Sequence, residues 1–123
     1  EDHIDDVTVL KAWSSVFNTL SIISHQETPV HWGCLSKAEW YDMLASVENY
    51  NEAILELTGA GFCSKFDSGT IAVFSGKLLN HGLSSCSGER ICVAFYMREY
   101  VHTICGVETP GWSVPPHNHV MQL

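Results

Sequence analysis

No stretch of this 123-residue chain approaches the roughly 18 to 20 consecutive apolar residues that a membrane helix needs. Its opening, EDHIDDVTVL, is acidic where a secretion signal would be basic and then apolar. Basic residues are scarce. Lys11, Lys37, Lys65, Lys77, Arg90 and Arg98 stand against fourteen acidic residues, giving a formal net charge of −8. No two of the six are adjacent, so the chain lacks the basic stripe by which nucleic-acid binders neutralise phosphates. Paired cysteines are missing too. Five cysteines at irregular spacing, with no C-x-x-C, exclude a regular disulfide framework and a zinc knuckle. Reduced thiols point to an intracellular setting, nuclear or cytoplasmic. Internal repeats are absent, and proline clusters only near the end, at Pro110, Pro115 and Pro116.

What is present suffices for a core. With 46% hydrophobic and 16% charged residues, the chain is no disordered tail. Its length suits one domain spanning 1–123, the tail 108–123 extended. Phe17 to Ser24, Ala53 to Leu57, Thr70 to Phe74 and Ile91 to Met97 read as strands, rich in branched and aromatic residues. Pro29 leads into a short segment ending at His31, and His81 ends another. Gly82 to Gly88 reads as a loop that makes 81–90 a hairpin. Ser36-Lys37-Ala38-Glu39 fits a capping box, followed by Trp40, Met43, Leu44 and Val47 at helical spacing, which predicts a helix there. A second short helix is expected around Asp5 to Trp13. Six to eight short strands with one or two short helices define a mainly β fold, a sandwich or jelly roll.

The chemistry-bearing residues are His31, His81 and Arg90. In the last strand, alternation places Arg90, Cys92, Ala94 and Tyr96 on one face, with Ile91, Val93, Phe95 and Met97 on the other. An Arg opening an apolar strand needs an anionic partner to offset its desolvation, either a protein carboxylate or that of a ligand. The spacing alone does not decide between structural histidines and metal ligands. Two other motifs carry less. His117-Asn118-His119 sits among prolines and reads as a solvated tail. Cys34 has no visible base or oxyanion hole beside it.

The segments TPVHWGCLSKAEWYDML and FDSGTIAVFSGKLLNHGLSSCSGERICVAFYMREYVH resemble the iron(II)/2-oxoglutarate dioxygenases of the TET/JBP superfamily. The likeness is strongest to the stand-alone type of mushroom-forming fungi. It implies a double-stranded β-helix with iron(II) and 2-oxoglutarate as cofactors and oxidation of methylated nucleobases as the chemistry. It also implies His31 and His81 as metal ligands, Arg90 as the 2-oxoglutarate arginine, and Cys92 at a position that supports the same carboxylate. One departure stands out. Where the family has His-Arg-Asp, this chain reads His31-Trp32-Gly33, so the metal-ligating acid is missing at Gly33. Three outcomes are open: a catalytically degenerate jelly roll that binds a ligand or protein, a halogenase-like use of the vacant position, or another acid such as Asp42 or Glu39. The last two acids fall on the predicted helix, which argues against their reaching a metal. Restoring the acid with Gly33→Asp is expected to strengthen iron binding. The resemblance implies a nucleic-acid partner that the charge of −8 disfavours, so the chain looks like a catalytic core without a nucleic-acid grip; no membrane partner is expected, and a protein partner is unknown.

Overall fold

The computed structural model describes residues 15–24, 27–84 and 86–109, together with Thr8 and Ala12. Those two are helical and exposed; the rest of the expected helix at Asp5 to Trp13 lies outside the described residues, as does His117-Asn118-His119. Ten strands run in the order β1 (Thr19–Ser24), β2 (Thr28–His31), β3 (Asp42–Val47), β4 (Tyr50–Asn51), β5 (Ile54–Leu57), β6 (Phe62–Lys65), β7 (Ile71–Phe74), β8 (His81–Leu83), β9 (Ser87–Gly88) and β10 (Ile91–Tyr96). A short helix, α1 (Glu99–Ile104), follows.

Two antiparallel four-stranded sheets form the body, ordered β1-β10-β3-β7 and β2-β8-β5-β6, with β4 and β9 as a separate ribbon. The chain crosses from sheet to sheet after most of these eight strands, and only the β5–β6 hairpin stays within one. This is the strand order of a jelly roll, the predicted fold class. The core between the sheets holds Tyr50, Ala53, Leu55, Phe66, Phe74, Leu83 and Cys92. The Tyr50 hydroxyl is not stranded there: it bonds to the Ser46 hydroxyl and donates to the Phe66 carbonyl.

Three expectations are corrected. The stretch predicted as a helix from Ser36 is a set of turns followed by β3. Ser36 Oγ donates to the Met97 carbonyl at 3.5 Å, so it caps no helix. Within β3, Asp42 and Ser46 are buried and Leu44 packs against the core, so these three alternate residues face inward. Pairing with β10 on one side and β7 on the other overrides the local helix signal. Second, 81–90 is not a hairpin, because β8 and β10 belong to different sheets, and His81 begins β8 rather than ending a strand. Third, Phe95, which the apolar run 91–97 predicts to be a buried aromatic, lies on the outer face of the first sheet, where its ring centroid sits 5.9 Å from that of Phe17. Its outward neighbours Leu20 and Ile22 are exposed, so Phe95 is no core residue.

Candidate functional site

Between the two sheets lies a cavity of about 260 Å³. The inward face of β10 and its flanks supplies Arg90, Cys92, Ala94 and Tyr96, the row that strand alternation predicts, and Arg98 beyond them. From the facing sheet come His31 and His81, and the segment after β2 contributes Trp32 and Gly33 to the rim. His31, His81, Gly33, Arg90 and Cys92 therefore share one cavity.

The two histidines are fifty residues apart in sequence, yet stand directly opposite each other in the β2–β8 register. Their ring centroids are 4.2 Å apart. Gly82 permits the close approach, since a Cβ there would come within 2.9 Å of the Val30 backbone. Each ring is held in the same way. His31 Nδ1 bonds to the Pro29 carbonyl at 2.9 Å, and His81 Nδ1 to the Leu79 carbonyl at 3.0 Å. A carbonyl can only accept, so both Nδ1 atoms carry a proton, and Nε2 is the atom that a neutral ring in this pose offers to a ligand. This is how metal-ligating histidines are oriented by their surroundings. Burial pushes the His81 pKa below its usual 6.5, against the bond to Leu79 and with the help of His31. The ring is therefore neutral at pH 7, the form that binds metal.

Arg90 is 1% exposed and hydrogen-bonds to the Cys92 thiol. Burial holds that thiol above its usual pKa, opposed by the Arg90 guanidinium, so Cys92 stays protonated. Tyr96 closes the row by a 2.6 Å hydroxyl pair with Ser21.

Two cavity residues were not among the expected site residues. Arg98 continues the β10 row by one more step. Its guanidinium lies 4.2 Å from the Tyr96 ring centroid, and reciprocal bonds to Asn18 fix its backbone. Its buried Nη1 has no hydrogen-bond partner. The period-2 alternation that found Arg90 would have found Arg98 had it been carried past Tyr96. Asp42 is the other. As the first residue of β3, it turns its carboxylate into the cavity, where it accepts from the Gly76 amide. Burial raises its pKa above the usual carboxylate value, although Arg98, the Gly76 amide and His31 all oppose the shift. Oδ1 is buried without a hydrogen-bond partner.

Gly33 lies against the same corner. Its amide donates to the Gly76 carbonyl at 2.7 Å, and a Cβ at 33 would meet the Gly76 carbonyl carbon and oxygen at 3.1 Å. An acid placed there by Gly33→Asp has to displace backbone, so the substitution is more than the simple restoration of a ligand.

The fold and this cavity define a jelly-roll domain in which two adjacent imidazoles and a buried arginine line one cavity. The family model for the oxygenase domain of the 2OGFeDO superfamily (Tet_JBP) matches residues 1–99, and the chain belongs to that family. No curated protein matches the chain. Among solved structures, an RmlC-like cupin protein from Desulfovibrio desulfuricans is similar at 17% identity, with 68% of this chain and 76% of that chain covered and a TM-score of 0.44. No helix among the described residues is long and apolar enough to cross a membrane.

The family implies iron(II) and 2-oxoglutarate, and the donor set can be tested against them. Two imidazoles that each commit Nδ1 to a backbone carbonyl fit an iron(II) site of the two-histidine, one-carboxylate kind. A buried arginine fits the carboxylate of an oxo acid. The acid is the open question, because among the described residues no three His, Cys, Asp or Glu side chains already converge on one point.

Proposed function

We propose that this domain is an iron(II)/2-oxoglutarate-dependent oxygenase that oxidises the methyl group of an unpaired nucleobase. The observation that carries the reading is the His31–His81 pair, with both Nδ1 protons directed to backbone carbonyls, in one cavity with Arg90. His31 and His81 would hold the metal. Arg90 would take the distal carboxylate of 2-oxoglutarate, with Cys92 beside it. Iron(II), when bound, supplies the chemistry in which oxygen cleaves 2-oxoglutarate to succinate and carbon dioxide and leaves one oxygen atom on the substrate methyl.

The protein's own residues set what enters. The cavity falls just below the 300 Å³ at which ligand pockets usually begin, so it suits a small dicarboxylate and one reacting group rather than a whole nucleotide. At its rim Trp32 is 55% exposed, with the Lys77 ammonium 5.1 Å from its ring centroid. An exposed indole beside a cation is a surface on which a base can stack while its phosphate meets the ammonium. The charge of −8 opposes the extended phosphate contacts that extrusion from a duplex requires. The substrate is therefore a methylated base that is already unpaired.

The test is to incubate the protein with iron(II), ascorbate, 2-oxoglutarate and oxygen. A methylcytosine-containing single strand, the same strand in duplex, and the free nucleoside are compared. Succinate formation coupled to gain of one oxygen atom by the single strand or nucleoside is expected, with the duplex slowest. Failure to form succinate under any condition would overturn the reading. A second reading, a non-catalytic ligand-binding jelly roll, is favoured by Gly33 and the lack of a converged three-ligand set among the described residues. It predicts 2-oxoglutarate binding without turnover.

A further inference from the structure

We propose that Asp42 is the carboxylate that joins His31 and His81 on the metal in this chain, taking the role left open at position 33. The inference rests on the proposed function and names the ligand that it lacks.

Four observations converge on Asp42. Its side chain lines the same cavity as both histidines. Its carboxylate and the His81 ring flank one small spot: a Cβ added to Gly76 would collide with Asp42 Oδ2 and come within 3.2 Å of His81 Cε1. Only glycine at 76 leaves that space open. Oδ1 is buried and has no hydrogen-bond partner, so the group is desolvated without full compensation. A cation beside it would supply what the protein does not. Finally, Asp42 pairs with Phe74 of β7 and precedes Met43, which pairs with both β7 and β10, so its backbone is held and its side-chain torsions are the freedom that remains.

No three donors yet converge on one point among the described residues, and this sets what binding must do. The carboxylate has to turn about its side-chain bonds, releasing the Gly76 amide and bringing an oxygen towards the two Nε2 atoms. Position 33 offers no comparable route, because a Cβ there faces the Gly76 carbonyl at 3.1 Å. Glu39 does not line the cavity, and among the described residues the charged side chains that share it with the histidines are Asp42, Arg90 and Arg98.

The test is a titration of the intact protein with cobalt(II) alone, without 2-oxoglutarate. Calorimetry gives affinity, and the visible cobalt spectrum reports the ligand set. Asp42→Asn keeps the size and the acceptor for the Gly76 amide but removes the charge. It is expected to weaken cobalt binding by more than about tenfold, exceeding the lower bound for loss of a supporting outer-shell group, and to alter the spectrum. His31→Ala and His81→Ala should each weaken it at least as much. If Asp42→Asn binds with wild-type affinity and spectrum while the histidine variants lose the metal, the assignment of Asp42 is wrong and the proposed function stands. If the wild type binds no cobalt, the proposed function falls with it. Urea unfolding of each variant reports folding, and Asp42→Ser provides the same comparison should the Asn variant fail to fold.

Discussion

Replacing Arg90 by Met is expected to abolish 2-oxoglutarate binding while the domain still unfolds cooperatively. Arg90 is 1% exposed and opens the cavity-facing row of β10. A guanidinium in that setting grips a carboxylate through two parallel charge-assisted bonds, each contributing about 1.5 to 3 kcal/mol. Losing both costs roughly 3 to 6 kcal/mol, a Kd increase of about two to four orders of magnitude. Met keeps most of the side-chain length and leaves no large void, which Ala would. Arg90→Lys should fall between, because the charge persists without the planar fork. Calorimetric titration with 2-oxoglutarate, beside a urea curve for each variant, checks this. Wild-type affinity in Arg90→Met would remove Arg90 from the binding site.

The second large effect concerns the fold. Phe66→Ala is expected to destabilise the domain by about 3 to 5 kcal/mol, the range for deleting a fully buried aromatic ring. Phe66 is wholly buried among Tyr50, Ala53, Leu55 and Phe74, and its amide and carbonyl bond to the Ala53 carbonyl and the Tyr50 hydroxyl. The cavity left by the ring would also loosen the Ser46–Tyr50–Phe66 chain, which ties β3 to the segment after β6. Against a typical total stability of about 5 to 15 kcal/mol, such a loss is a large fraction. Phe95→Ala serves as the comparison: its ring is on the outer face, so it should cost clearly less. Urea midpoints for the two variants test the ranking, and equal losses would contradict this placement of the core.

Reading β10 from the sequence worked because a strand has only two faces. Once Arg90 was placed inward, Cys92, Ala94 and Tyr96 had to follow, and they do. Which face was the core was harder to see, since both are apolar: Ile91, Val93 and Phe95 look as buried as any strand interior. The facing of His31 and His81 could not be read from spacing. It depends on the β2–β8 register and on Gly82 allowing the strands to approach, and only the family resemblance anticipated it. The place of Asp42 is hidden in the sequence, because S-x-x-E followed by Trp40, Met43 and Leu44 is a sound local helix signal. Two neighbouring strands outweigh it, and the change from helix to strand is what turns Asp42 into the cavity. Arg98 lies two residues past Tyr96, beyond the end of β10, and the same alternation continued to it places it inward.

The charge of −8 that disfavours a nucleic-acid clamp takes on a more specific meaning beside this cavity. Under the proposed function, a small pocket with an exposed indole at its rim would select a single base without binding a long stretch of backbone. The central claim, that His31 and His81 hold iron(II) with 2-oxoglutarate, is tested most directly by anaerobic titration of the protein with both. A weak visible charge-transfer band that saturates at one iron per chain, and is absent from His81→Ala, is predicted. No band at saturating iron and 2-oxoglutarate would contradict the account.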